Sequence, residues 1–194
     1  MAWLAVVLLL LFGVVCLGVR TWIHVRDTGS SPFLTGPAGH GMVAVLGFVG
    51  PFAVAIVLDL AGSAPRLVDS GWVGAVGVGL AVIGIVATIW AQLATGDSWR
   101  VGIDNDERTD LVTGGPYQSV RNPIYTAMFT FAIGVALVVP NVAAVLSVLL
   151  VVLVIDVVVR RMEEPYLVAT HGDRFREWAA RTGRFLPGIG RITA

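Results

Sequence analysis

Five long apolar runs, at residues 3–19, 41–60, 72–93, 125–139 and 142–159, are separated by polar stretches. A helix needs about 20 apolar residues to cross the hydrocarbon of a bilayer, where every backbone polar group must be satisfied within the protein. Few folds remain open to such a chain. The expectation is an all-α, polytopic membrane helix bundle of about five transmembrane helices, followed by a cytoplasmic C-terminal helical segment. Composition agrees: 56% of the residues are apolar and 13% charged, against about 45–50% and 25% in soluble domains. A formal net charge of zero argues against a nucleic-acid partner, and the single cysteine, Cys16, lies inside an apolar run with no disulfide partner. The 194 residues suit one integral-membrane domain, 1–194, with three spans in 1–95 and the chemistry-bearing part in 96–194.

Gly50-Pro51 predicts a kink in the second span, and Pro140-Asn141 a tight helical hairpin between the fourth and fifth. Gly77, Ala81, Gly84 and Thr88 form a stripe of small residues on the third span, which reads as a helix-packing face. With five spans, twelve of the thirteen arginines fall on one side, Arg66 being the exception. The positive-inside rule then puts the N-terminus outside and the tail in the cytoplasm. No basic residue precedes the first run and no small-x-small site follows it, so a cleaved signal peptide is not expected. Lysine is absent, a bias that suits a GC-rich genome. The expected location is a bacterial plasma membrane.

The polar residues able to do chemistry fall in two stretches, 97–125 and 160–187, both flanking the last two spans on the cytoplasmic side. In the first, Gly114-Gly115-Pro116 predicts a turn and Pro123 the start of the fourth span. Arg121 and Asn122 therefore sit at a helix N-terminus, which favours an anion, while an arginine there also suits snorkelling at the interface. In the second stretch the fifth helix runs on past the membrane. Arg160 is spaced to pair with Glu163, Glu164 or Asp156, the last an acid inside an apolar run. His171-Gly172 predicts a helix end with a left-handed glycine, and Asp173 a cap for a short helix. Phe175, Trp178, Ala179 and Thr182 share one face of it, to lie in lipid or against the bundle. The histidines, at 24, 40 and 171, are scattered, and no metal-ligand spacing occurs.

Together the two stretches resemble the isoprenylcysteine carboxyl methyltransferase family, within the wider group that includes phospholipid N-methyltransferases. The family pattern L-V-x-x-G-x-Y then R-H-P-x-Y is matched by Leu111, Val112, Gly115 and Tyr117, then Arg121, Asn122, Pro123 and Tyr125. After a helical hairpin come Glu163, Glu164, Leu167, Gly172, Phe175, Trp178, Arg181 and Leu186-Pro187, where the family has its double glutamate, aromatic and arginine positions. The resemblance covers residues 97–188, about half the chain.

It implies S-adenosylmethionine as methyl donor. Carried over by position, the cofactor contacts are Leu111, Val112, Tyr117, Asn122, Pro123, Ile124, Tyr125 and Glu163. Arg181 matches an arginine near the acceptor. Asn122 stands where the family has histidine; its amide donates and accepts hydrogen bonds but does not titrate near neutral pH. The acceptor implied is lipophilic and comes from the bilayer, with membrane lipids as the surroundings. A carboxylate acceptor is already ionised and needs only a cation, Arg160 or Arg181. An amine acceptor, as on a phospholipid or small amphiphile, needs a base, for which Glu164 is the candidate. Two readings from other classes stay open: a reductase of the steroid 5-alpha-reductase type, and a membrane subunit without turnover.

Overall fold

The computed structural model describes residues 1–32, 41–96, 99 and 110–192. Arg100 and Arg108 of the topology count, and His40, lie outside the described residues. Helix α1 spans Ala2–Thr28, α2 Gly41–Leu60, α3 Gly71–Ala94, α4 Pro123–Val138, α5 Val142–His171 and α6 Asp173–Arg181, with a 3-10 turn at Gly115–Gln118 before α4. α1, α3 and α5 are long and apolar enough to cross a membrane, and Val45–Leu60 and Pro123–Val138 are shorter apolar helices. Among the described residues the β pairing is confined to isolated bridges. The protein is a polytopic membrane helix bundle.

α1 is longer than its apolar run because Arg20 and His24 continue it as buried polar residues. Its Gly13–Val19 segment is π-helical. Such a turn frees a backbone carbonyl, and Gln92 of α3 donates its Nε2 to the Cys16 carbonyl at 2.9 Å. Phe12 stacks on Phe131 at 4.4 Å and leans on Phe48 at 5.4 Å, joining α1, α2 and α4 at the core. Pro51 lies inside α2, as the sequence placed it.

The stripe on α3 packs against α4. A Cβ added at Gly77 would lie 2.7 Å from the Gly134 carbonyl, and one at Gly84 only 2.5 Å from the Phe131 nitrogen. Nothing larger than glycine lets the two backbones approach so closely. The hairpin between α4 and α5 is closed by Asn141, which is fully buried. Its Oδ1 accepts from Ala144 N at 2.9 Å as the cap of α5, and its Nδ2 donates to Ala55 O of α2 at 3.0 Å.

Candidate active site

Pro123 opens α4 at its first position with Asn122 as the flanking residue. Proline lacks only an N–H that would be unpaired there anyway. The preceding turn uses Gly115 at φ +58°, which brings Tyr117 inward and buries it. From the other side comes the C-terminal part of α5, where Val159–Glu163 forms a second π-helical turn. Successive helical residues point about 100° apart, so the two consecutive glutamates leave this turn in different directions.

Glu163 faces α4. Its Oε1 accepts the Tyr125 hydroxyl at 2.5 Å, partly buried. Tyr117 lies close enough to feel the carboxylate: burial, with the Glu163 charge adding, pushes its phenol above the ordinary value and keeps it protonated. Tyr117, Tyr125 and Glu163 therefore gather at one place, between the start of α4 and the end of α5.

Glu164 turns the other way, into an arginine clasp. Arg121 Nη2 donates to Glu164 Oε1 at 2.6 Å, and Arg184 grips both carboxylate oxygens, Nε to Oε1 at 2.9 Å and Nη2 to Oε2 at 2.8 Å. All three are buried. Arg121 also donates to the carbonyls of Ala179, Thr182 and Gly190. It does not snorkel. A cation beside the positive end of α4 is unfavourable by itself, and Glu164 offsets it.

The tail is stitched to the start of α4 alongside this clasp. Arg121 N donates to Gly183 O at 2.8 Å, Asn122 N and Nδ2 both donate to Arg184 O, and Thr126 Oγ1 donates to Phe185 O at 2.7 Å. The amide of Asn122, at the family's histidine position, is thus engaged with the tail backbone. Gly183 admits no Cβ, which would collide with the Leu186 and Ile189 carbonyls.

Among the other expected site residues, Pro123 is buried and Ile124 and Val112 are half-buried. Leu111 packs with Phe175 and Ala179 beneath α6. The apolar face of α6 is thereby covered by the protein's own chain. Arg160 pairs with Asp156, Nε to Oδ2 at 2.7 Å, and not with either glutamate. The π-helical turn begins at residue 159 and breaks the register that put residue 160 over 164, and Arg121 and Arg184 already hold Glu164. Arg181 is exposed on the outer side of α6, its Nε 3.3 Å from the Glu177 carbonyl. Gly172, at φ 54° and ψ −128°, has positive φ outside the left-handed helical region. It takes the flanking position expected of Asp173, whose carboxylate pairs with Arg176 at 2.8 Å. Arg184 has no periodic or spaced relation to Glu164; the glycines at 183, 188 and 190 around it were the available signal of close backbone approach.

The fold is that of a membrane helix bundle, with a part-buried carboxylate–tyrosine pair held between two packed helices. The profile of the phospholipid methyltransferase family matches residues 72–174, and the chain belongs to that family. The structure of a eukaryotic intramembrane Ras methyltransferase, isoprenylcysteine carboxyl methyltransferase, has the same fold at a TM-score of 0.63. The match covers 90% of this chain and 62% of that one at 19% identity. A curated relative, the nickel-cobalt-cadmium resistance protein NccN of Alcaligenes xylosoxydans xylosoxydans, is 29% identical over 127 residues, 62% of this chain. The chain spans about half, 54%, of that relative's length. Among the described residues no group of histidine, cysteine, aspartate or glutamate is arranged to hold a metal ion.

Proposed function

We propose that the protein transfers a methyl group from S-adenosylmethionine to a lipid-soluble acceptor at the membrane–cytoplasm interface, the acceptor group being a carboxylate. The observation that carries this reading is the Tyr125–Glu163 pair, held between α4 and α5 within the stretch that the family profile matches. The chemistry of the donor set suits the cofactor. Glu163 accepts from ribose hydroxyls or an ammonium, Tyr117 and Tyr125 offer ring faces and hydroxyls, and Val112, Pro123 and Ile124 offer apolar surface. When bound, S-adenosylmethionine supplies an electrophilic methyl on a sulfonium. The residues around it bind and align, which is the larger part of catalysing an in-line displacement.

Glu164 bears on the acceptor. Its carboxylate is committed to two arginines, so an amine acceptor would lack the base the sequence offered for it. A carboxylate needs none. Arg160 is taken by Asp156, and we assign the anionic acceptor group to Arg181, which matches the family's acceptor arginine by position and whose guanidinium is exposed on α6. Arg181→Lys keeps the charge and loses the planar fork that grips a carboxylate. It is expected to raise the acceptor's KM or lower kcat while leaving S-adenosylhomocysteine affinity nearly intact. Normal kinetics, or a loss confined to cofactor binding, would refute the role of Arg181.

The experiment for the cofactor is calorimetric titration of S-adenosylhomocysteine into the detergent-purified protein, followed by a lipid-extract screen with radiolabelled S-adenosylmethionine. Saturable binding and a base-labile labelled product support a methyl ester. Absence of binding favours a membrane subunit without turnover, and a base-stable product favours an amine. In the proposed orientation the starts of α4 and α6 face the cytoplasm. A reporter active only in the cytoplasm, fused after the last residue, should give signal. Silence from an expressed fusion would overturn that orientation.

A further inference from the structure

After α6 the chain does not run off along the surface. Val120 and Gly183 form a parallel bridge, and the next contacts step forward along both segments: Asn122 to Arg184, then Thr126 to Phe185. The Phe185 ring meets Phe129 edge-on at 5.3 Å. The tail therefore travels in the same direction as α4, toward the hydrocarbon. Thr126 and Phe129 lie about 4.5 Å and 9 Å along α4 from Pro123, at about 1.5 Å per residue. Tyr125 is level with Glu163, since the two side chains bond directly. Phe129, one turn deeper, is then level with the last of the apolar run on α5.

At that depth the chain reverses. Ile189 N donates to Leu186 O at 3.1 Å. Pro187 and Gly188 occupy the middle of this turn, Gly188 at φ +77°, the pairing that a type II turn requires. Arg184 N donates to Ile189 O at 2.7 Å and Ile192 N to Ala179 O at 3.2 Å, which closes the excursion back onto α6. The dip is a loop held at both ends by backbone hydrogen bonds. At its tip Leu186 is 54% and Ile189 64% exposed. On α5, Leu153, Val154 and Val157 are likewise exposed. Arg191, just beyond the tip, is exposed and has no ion-pair partner among the described residues.

The geometry points to a re-entrant wedge: the Leu186–Ile189 turn inserts into the acyl-chain boundary of the leaflet where α4 begins, with Leu186 and Ile189 in contact with lipid. Two apolar side chains on a turn whose backbone is already ordered gain from burial in lipid without a further ordering cost. The wedge stands one residue along the chain from Phe185, whose carbonyl is bonded beside Tyr125. It thus fixes the height of the site at the membrane surface. This inference rests on the membrane fold and the tail contacts and is independent of the methyl-transfer reading.

The test uses the full chain in phosphatidylcholine–phosphatidylglycerol liposomes, on a Cys16→Ala background, with nitroxide labels at Leu186→Cys and Ile189→Cys. Leu153→Cys on the lipid-facing side of α5 and Ala180→Cys on the exposed side of α6 are the calibrants. Power-saturation electron paramagnetic resonance compares accessibility to oxygen, which partitions into lipid, with that to a water-soluble nickel chelate. The average for the two turn positions is expected to be nearer to that at Leu153 than to that at Ala180. A value nearer to Ala180 would overturn the wedge and place the tip in water. All labelled positions are exposed, and loss of the monodisperse detergent peak by a single variant is met by reading the other turn position.

Discussion

Glu164→Gln is expected to destabilise the protein by about 3–5 kcal/mol, because it leaves Arg121 and Arg184 buried side by side without their counter-charge. The side chains of Arg121, Arg184 and Glu164 are 2%, 11% and 10% exposed, so solvent does little to screen what remains. The loss should change little between low and high salt, in contrast to a surface pair. Arg184→Gln should cost less, since Glu164 keeps Arg121. Arg121→Gln should fall nearer to Glu164→Gln, since it also releases the carbonyls of Ala179, Thr182 and Gly190. Arg161→Gln, at an exposed position, is the control and should stay within about 0.5 kcal/mol. Reversible unfolding of the full chain in detergent–denaturant mixtures measures all four. A Glu164→Gln protein as stable as the parent would show that the clasp does not hold the tail to α4.

The clasp also explains what was legible in the sequence. The spans were, because hydrocarbon tolerates only long apolar helices, and because Pro123, Asn141 and the small residues from Gly77 to Thr88 act through local chemistry that a sequence displays. The gathering of Tyr125 and Glu163 was anticipated only through a resemblance, since 38 residues separate them. The partners of Glu164 were not legible. Helical spacing offered Arg160, and a π-helical turn at Val159–Glu163 removed it. The true partners come from the start of another helix and from a tail that doubles back, and neither has a periodic signature. Arg121 was visible as a cation at a helix start. Its burial depended on Gly183, where the absence of a side chain lets the tail lie against Val120 and Arg121.

Glu163→Gln should behave in the opposite way to its neighbour. The substitution keeps size and a carbonyl acceptor for the Tyr125 hydroxyl, and it leaves the arginine clasp untouched, so stability should be nearly unchanged. On the proposed function, the lost charge bonds donors on the cofactor. A charge-assisted hydrogen bond contributes about 1.5–3 kcal/mol, which predicts a tenfold to hundredfold weaker affinity for S-adenosylhomocysteine. Tyr125→Phe keeps the charge but releases the carboxylate to turn, and its loss of affinity should be smaller. The adjacent glutamates point in different directions, 163 toward Tyr125 of α4 and 164 toward the arginines and the tail, and on the proposed function this separates ligand binding from stability. Calorimetric titration on Glu163→Gln protein of parental stability is the decisive measurement. Undiminished affinity there would refute Glu163 as a cofactor ligand, whereas weaker binding with the clasp intact cannot be attributed to a disturbed tail.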